Sequence, residues 1–71
     1  MRLATWNVNS IRARVDRIVD FAVREHIDVL AMQEIKCKEE QFPYEAFEAA
    51  GFEVRAHGFS QWNGVAVASR E

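Results

Sequence analysis

Amide and carboxylate side chains close two short apolar stretches of this sequence. Asn7 and Asn9 end the first stretch, and Gln33 and Glu34 end the second. Mg²⁺ typically takes one or two carboxylates, keeps several waters and receives its remaining ligands from substrate phosphates. The pair Asn7 and Glu34 therefore predicts a magnesium site, with Mn²⁺ as the alternative ion. The competing interpretation is structural, because a strand-end Asn commonly caps a turn and a strand-end Glu is commonly solvated; Asn9 fits turn chemistry better than metal ligation.

Cations near these amides could serve a nucleic acid. Arg12 and Arg14 fall in the first turn of a predicted helix, where the helix dipole disfavours cations by about 0.3–1 kcal/mol each. Such charges could attract the phosphates of a polynucleotide, as could Lys36, and Trp62 could stack on a nucleotide. Each has an ordinary alternative: pairing of the two arginines with Asp16, solvation of Lys36, and packing of Trp62 onto the sheet.

A β-α-β unit is the arrangement that would bring these side chains together. The apolar stretch 3–8 predicts a buried strand, Ser10 a helix N-cap, the 3.6-residue periodicity a helix over 11–25, and the stretch 27–32 a second buried strand. Neighbouring parallel strands lie about 4.8 Å apart and end at the same sheet edge, where ligands of open α/β sheets bind. Asn7 and Glu34 should therefore face one small volume.

The remaining residues predict a second helix over 43–50 and an antiparallel hairpin of strands over 52–57 and 64–69. The predicted order is β-α-β-α-β-β. A four-stranded sheet with two helices can cover only one of its faces, and the other face needs a partner. We therefore expect residues 1–71 to be the N-terminal part of a single, incomplete catalytic domain, whose open face invites self-association.

Composition narrows the class of protein. With 49% apolar and 28% charged residues the chain is globular, and its 71 residues would bury about 60% of the unfolded surface. Five arginines against three acidic residues give residues 1–26 a charge of +2, which leaves −4 for 27–71 out of the total of −2. A single cysteine, Cys37, excludes an internal disulfide and a cysteine zinc site and is expected to be a spectator. His26 and His57 are expected to be structural or exposed. The sequence shows neither a secretory leader nor a membrane span, so we expect a cytoplasmic protein without a membrane partner.

Four segments carry a specific resemblance: TWNVNSIRAR, DVLAMQEIKCKEEQFP, AAGFEVRAHG and GVAVASRE. Together they resemble the opening of the exodeoxyribonuclease III branch of the endonuclease/exonuclease/phosphatase family, which also includes abasic-site endonucleases and deoxyribonuclease I. The resemblance runs through all 71 residues. It implies a two-sheet α/β sandwich of the deoxyribonuclease I type, of which this chain would form part of the first half.

The resemblance also implies a function. It points to Mg²⁺-dependent DNA hydrolysis in base-excision repair, with 3′-5′ exonuclease activity and cleavage at abasic sites of duplex DNA. Glu34 and Asn7 match the family's metal site, and Arg12 and the neighbourhood of Lys36 match a DNA-facing rim. The family's catalytic histidine, aspartates, further asparagine and active-site tyrosine lie beyond these residues, so we expect no complete catalytic set here and no activity from the chain alone. A phosphoinositide phosphatase or lipid phosphodiesterase of the same family, and a non-catalytic folding fragment, are the alternatives.

Overall fold

The computed structural model describes residues 1–58 and 62–70, which form a four-stranded sheet with helices against one face. The elements are β1 (Leu3–Asn7), α1 (Ile11–Arg24), β2 (Val29–Gln33), a 3₁₀ turn (Glu39–Gln41), α2 (Tyr44–Ala49), β3 (Glu53–His57) and β4 (Val65–Ser69). The predicted order β-α-β-α-β-β is confirmed. Neither α-helix in the described ranges has the length and apolar character needed to cross a bilayer.

The strands lie side by side in the order β1-β2-β4-β3. β1 and β2 are parallel, with Leu3 opposite Val29 and Asn7 opposite Gln33. β4 runs antiparallel to both β2 and β3. The predicted β-α-β unit and the predicted hairpin are thus both present, and the register places the ends of β1 and β2 at one edge.

One face of the sheet carries the core. Its cross-strand rows are Ala4-Leu30-Ala68-Val54 and Trp6-Met32-Ala66-Ala56. Trp6 meets Phe21 of α1 edge to face at a centroid distance of 5.1 Å, and Phe47 of α2 meets Phe52 at 6.4 Å. Both helices therefore contribute aromatic side chains to the core on this side of the sheet.

The opposite face is open in the described part of the chain. Leu3 is 70% exposed, Val65 51% and Val67 43%. The prediction of a buried first strand was wrong for Leu3, Thr5 and Asn7, which are exposed because the residues of β1 alternate between the covered and the open face. Because both helices lie on the same side, the opposite face keeps these apolar residues exposed among polar ones.

Candidate metal centre

Asn7 and Glu34 lie in direct contact at the edge where β1 and β2 end. Asn7 Nδ2 donates a hydrogen bond of 2.7 Å to Glu34 Oε2. The contact follows from the register, since Asn7 stands opposite Gln33 and Glu34 is the next residue along. The expected convergence of these two side chains is observed, and both are exposed to solvent.

The loop after β1 is fastened to the segment after β2 by backbone hydrogen bonds. Val8 N–H donates to the Gln33 carbonyl at 2.9 Å, and Ser10 N–H donates to the Glu34 carbonyl at 2.9 Å. Ser10 occupies the N-cap position of α1, but its side chain makes no capping bond, so the predicted capping mechanism was wrong. The reason is its left-handed backbone, with φ of 84°, whereas a capping residue usually has an extended backbone.

Left-handed backbone is concentrated in these two segments. Four of the five non-glycine residues with positive φ in the described ranges are Asn9, Ser10, Glu34 and Lys36. For an L-residue this conformation costs about 1–2 kcal/mol. Strain of this kind persists where the surroundings over-determine it and concentrates at functional sites. The backbone is therefore locally strained at the sheet edge that holds Asn7 and Glu34.

Lys36 and Asn9 complete the cluster. Lys36 Nζ donates to Asn9 Oδ1 at 2.5 Å and lies 3.8 Å from Glu34 Oε1. Asn9 N–H in turn donates to Asn7 Oδ1 at 3.2 Å, so the turn chemistry expected of Asn9 is made by the side chain of Asn7. We call these four residues, Asn7, Asn9, Glu34 and Lys36, the edge cluster. Sequence reasoning missed the link between Asn9 and Lys36, although each lies two positions after a predicted ligand.

The arginines differ in their surroundings. Arg14 Nη1 donates to the Asn9 carbonyl at 2.5 Å, which ties α1 to the edge cluster. No pairing of Arg12 or Arg14 with Asp16 is present among the described residues, so that alternative was wrong. Arg12 lies close enough to Cys37 that its charge lowers the pKa of the thiol, but burial has the larger effect and the pKa is raised overall.

Trp62 lies at the same end of the sheet. Its neighbour Asn63 accepts the Lys36 N–H through its carbonyl at 3.0 Å, and Gly64 accepts the Ile35 N–H at 3.2 Å. Trp62 is 73% exposed, so the alternative of packing onto the sheet was wrong. The segment that carries Trp62 is therefore bonded to the segment that carries Lys36.

The histidines stand apart from this cluster. His57 ends β3, which two strands separate from β1, and its Nδ1 lies 3.2 Å from Glu39 Oε1. His26 follows α1 at the opposite end of the β-α-β unit. Neither histidine supplies a base beside Asn7 and Glu34.

The donors of the edge cluster fit a hard divalent ion better than zinc. Glu34 offers a carboxylate and Asn7 an amide oxygen, both ligand types that Mg²⁺ accepts. Within residues 1–58 and 62–70, no group of three or more His, Cys, Asp or Glu residues is placed to hold a metal ion. Two ligands leave the other coordination positions to water, phosphate or groups outside the described residues.

Comparison with known proteins finds a matching family profile and a similar protein of established name. A sequence profile of the Endonuclease/Exonuclease/phosphatase family matches residues 4–71. Exodeoxyribonuclease III of Haemophilus influenzae is 35% identical over 71 residues, which are 100% of this chain and 27% of that protein. The chain thus spans about a quarter of the length of this relative.

Two solved structures are similar over essentially the whole chain. An AP endonuclease from Archaeoglobus fulgidus matches with a TM-score of 0.95 and 40% identity, covering 100% of this chain and 28% of that one. A 3′ phosphatase from Neisseria, bound to a product DNA hairpin, matches with a TM-score of 0.93 and 34% identity, covering 99% and 27%. The predicted α/β fold class is therefore confirmed.

Proposed function

Because this chain belongs to the endonuclease/exonuclease/phosphatase family, we propose that its 71 residues are the N-terminal part of the catalytic domain of a DNA-repair nuclease. The whole protein would hydrolyse phosphodiester bonds of duplex DNA, as a 3′-5′ exonuclease and at abasic sites, in the cytoplasm and without a membrane partner. The observation that carries the proposal is the 2.7 Å contact between Asn7 and Glu34 at the shared strand edge. The named activities of the relatives from Haemophilus, Archaeoglobus and Neisseria support the choice of DNA as substrate.

Glu34 and Asn7 would hold the metal ion in this proposal. Asn7 Oδ1 accepts one hydrogen bond, from Asn9 N–H, and a carbonyl oxygen has a second lone pair for an ion. Bound Mg²⁺, or Mn²⁺ in its place, supplies Lewis-acid stabilisation of charge on the phosphate oxygens. The chain's own contribution is to bring both side chains together where the neighbouring strands β1 and β2 end.

The DNA would approach the edge cluster from the solvent, to which Asn7 and Glu34 are exposed. Arg12 and Lys36 would attract backbone phosphates, and Arg14 would add charge while it holds the Asn9 carbonyl. Trp62, exposed beside this edge, would stack against a sugar or base. Contacts of this type position the substrate and make binding weaken as salt rises.

Nuclease activity on abasic duplex DNA with Mg²⁺ tests the function in the full-length protein. We expect Glu34→Gln to lower kcat by about two orders of magnitude, in line with the loss of a group that holds transition-state charge in place. The exposed Glu48→Gln, on α2, is the matched control and should leave the rate unchanged. Equal activity of the Glu34→Gln variant and the parent would remove the metal site from the proposal.

The 71-residue chain alone is expected to be inactive. The described residues place no histidine beside Asn7 and Glu34 that could serve as the general base. The purified chain should therefore show no cleavage above buffer on the same DNA with Mg²⁺ or Mn²⁺. Turnover by the chain that disappears in its own Glu34→Gln variant would contradict this expectation.

A phosphoinositide phosphatase or lipid phosphodiesterase is the alternative within the same family. Release of phosphate or headgroup from lipid substrates by the full-length protein, in the absence of DNA cleavage, would favour it. The open sheet face supports a further, non-catalytic possibility for the chain on its own, which is self-association through Leu3, Val65 and Val67.

A further inference from the structure

The edge cluster forms a closed circuit of polar contacts around Glu34. Asn7 Nδ2 binds one carboxylate oxygen at 2.7 Å, and Lys36 Nζ lies 3.8 Å from the other. Lys36 Nζ also donates to Asn9 Oδ1, and Asn9 N–H donates to Asn7 Oδ1, which closes the ring of contacts. Both oxygens of Glu34 therefore face a donor, and one of these donors carries a positive charge.

The backbone holds Lys36 in this position. Glu34 and Lys36 both have left-handed φ, of 53° and 57°, and the intervening Ile35 is fully buried. The Lys36 N–H is bonded to the Asn63 carbonyl at 3.0 Å, which fixes the segment to the hairpin loop. Because left-handed backbone is unfavourable for residues other than glycine, this placement is imposed by the fold.

An ammonium group at this distance competes with a metal ion for the same carboxylate. A divalent ion on Glu34 would lie within a few ångströms of Lys36 Nζ, and like charges repel. The lysine side chain is 31% exposed and has a flexible four-carbon stem, so its ammonium can withdraw. Asn9 Oδ1 lies 2.5 Å from Lys36 Nζ and can keep the ammonium hydrogen-bonded after Glu34 has bound a metal ion.

We propose that Lys36 is a built-in counter-ion of Glu34, which keeps the carboxylate in place without metal and lowers the affinity of the site for divalent ions. This inference rests on the proposed function, since it takes Glu34 as a metal ligand. Lys36 is a positioning residue in this role. Removing its charge should strengthen metal binding, whereas loss of a merely structural contact would weaken it.

The test is a Mn²⁺ titration of the isotope-labelled 71-residue chain, followed by paramagnetic broadening of amide signals near residues 7–9 and 33–36. Screened Coulomb repulsion at about 5 Å predicts an affinity increase of about three- to tenfold for Lys36→Met. Lys36→Arg keeps the charge and should stay within about twofold of the parent chain, given the similar charge separation. Lys38→Met removes an exposed charge two residues away and is the matched control for net charge.

The outcomes separate the two proposals. Broadening by Mn²⁺ in the parent chain that is lost in Glu34→Gln supports the metal site. If Lys36→Met then binds Mn²⁺ no more tightly than the parent chain, the counter-ion role alone is overturned. Absence of broadening near Glu34 in every variant would overturn both. Tightening by Lys38→Met as large as that by Lys36→Met would assign the effect to net charge and also overturn the inference.

Discussion

The two carboxylate oxygens of Glu34 have different neighbours, one neutral and one charged. Asn7 contributes a neutral amide donor, and Lys36 contributes a cation. A charge added on one side of Glu34 should therefore act differently from the same charge added on the other side. The edge cluster offers two asparagines at which this asymmetry can be measured.

Asn7→Asp should destabilise the metal-free chain. The substitution replaces a 2.7 Å hydrogen bond to Glu34 with a second carboxylate. At a solvent-exposed site the repulsion and the lost bond together cost about 1–2 kcal/mol. Urea denaturation at low salt measures this loss, and millimolar Mg²⁺ should restore much of it by binding between the two carboxylates.

Asn9→Asp is the matched substitution with the opposite expected sign. It places the new carboxylate beside Lys36 Nζ, which now lies 2.5 Å from Asn9 Oδ1, and Asp tolerates the left-handed backbone found there. The free energy of unfolding should not fall. Equal destabilisation by both substitutions would show that the contacts of the edge cluster do not govern its electrostatics.

The thiol of Cys37 should be protected from reagents in the folded chain, and its ionisation should lower the free energy of unfolding at alkaline pH. Burial raises the pKa of its thiol above the ordinary 9.0, and Arg12 offsets only part of this effect. The unfolded chain then loses its thiol proton first, so this contribution to stability is fully present below about pH 9 and declines as pH rises through the higher pKa of the folded state.

Two measurements check the prediction for Cys37. Its reaction with a disulfide reagent at pH 8 should be at least about a hundredfold slower in buffer than in urea, as expected when reaction requires unfolding. In Cys37→Ala the decline in stability between pH 8.5 and 10 should be smaller. Fast labelling of the folded chain would contradict the burial of the thiol.

The convergence of Asn7 and Glu34 was predictable because it depends only on where two neighbouring parallel strands end. The bonds of Lys36 to Asn9 and the failure of Ser10 to cap were not predictable. Both depend on left-handed backbone at non-glycine residues, and residue type gives little indication of that conformation when tertiary hydrogen bonds impose it.

At the scale of elements, Gly58 and Gly64, on either side of residues 59–61, pack tightly against the segment that follows β2. A Cβ atom added at Gly58 would lie 2.1 Å from the Cys37 carbonyl oxygen. At Gly64, whose φ is +119°, an added Cβ would lie 2.7 Å from Ile35 Cγ1. These close approaches hold the backbone that carries Glu34 and Lys36.

Gly58→Ala should therefore destabilise the fold by about 2–3 kcal/mol, because the clash is with backbone and cannot be relieved by a side-chain rotation. Thermal or urea unfolding measures the change. Amide chemical shifts of residues 34–38 should move as well, since the contact is with that segment.

Gly51→Ala is the control for this clash. Its added Cβ would lie 3.5 Å from Arg70 Nη1, an ordinary contact, although its φ of +93° still disfavours alanine. We expect a loss of about 1 kcal/mol, from the backbone alone. A loss for Gly58→Ala no larger than that for Gly51→Ala would contradict the tight packing.

The strands and helices themselves were predictable from apolar periodicity, as were the hairpin of β3 and β4 and the parallel pairing of β1 with β2. The position of β4 between β2 and β3 was not. The apolar stretch ending in Ala66 and Ala68 indicates a buried strand, but it does not say which neighbours provide its hydrogen bonds. That choice depends on long-range packing.

At the scale of the whole molecule, the open sheet face should make the isolated chain self-associate. Val67 stands in the middle of this face, between Ala31 and Arg55, and is 43% exposed. Sedimentation at rising concentration should show dimers or larger species, because an exposed apolar face favours burial against another copy.

Val67→Lys should shift this equilibrium towards monomer by at least about tenfold, since it would require a charge to be buried in the contact. Val23→Lys is the matched control, because Val23 is 45% exposed but lies on α1, away from the open face. A monomeric parent chain, or an equal effect of both substitutions, would contradict association through the sheet.

The central position of β4 has a consequence for biosynthesis. It is the last of the described strands to leave the ribosome, yet it fills the gap between β2 and β3 and covers Leu30 and Met32 from the side. Until residue 69 has emerged, β2 has a hydrogen-bonding partner on one edge only. The nascent chain should therefore remain sensitive to proteases and open to chaperones until this late strand has been inserted, and acquire its protection in one step.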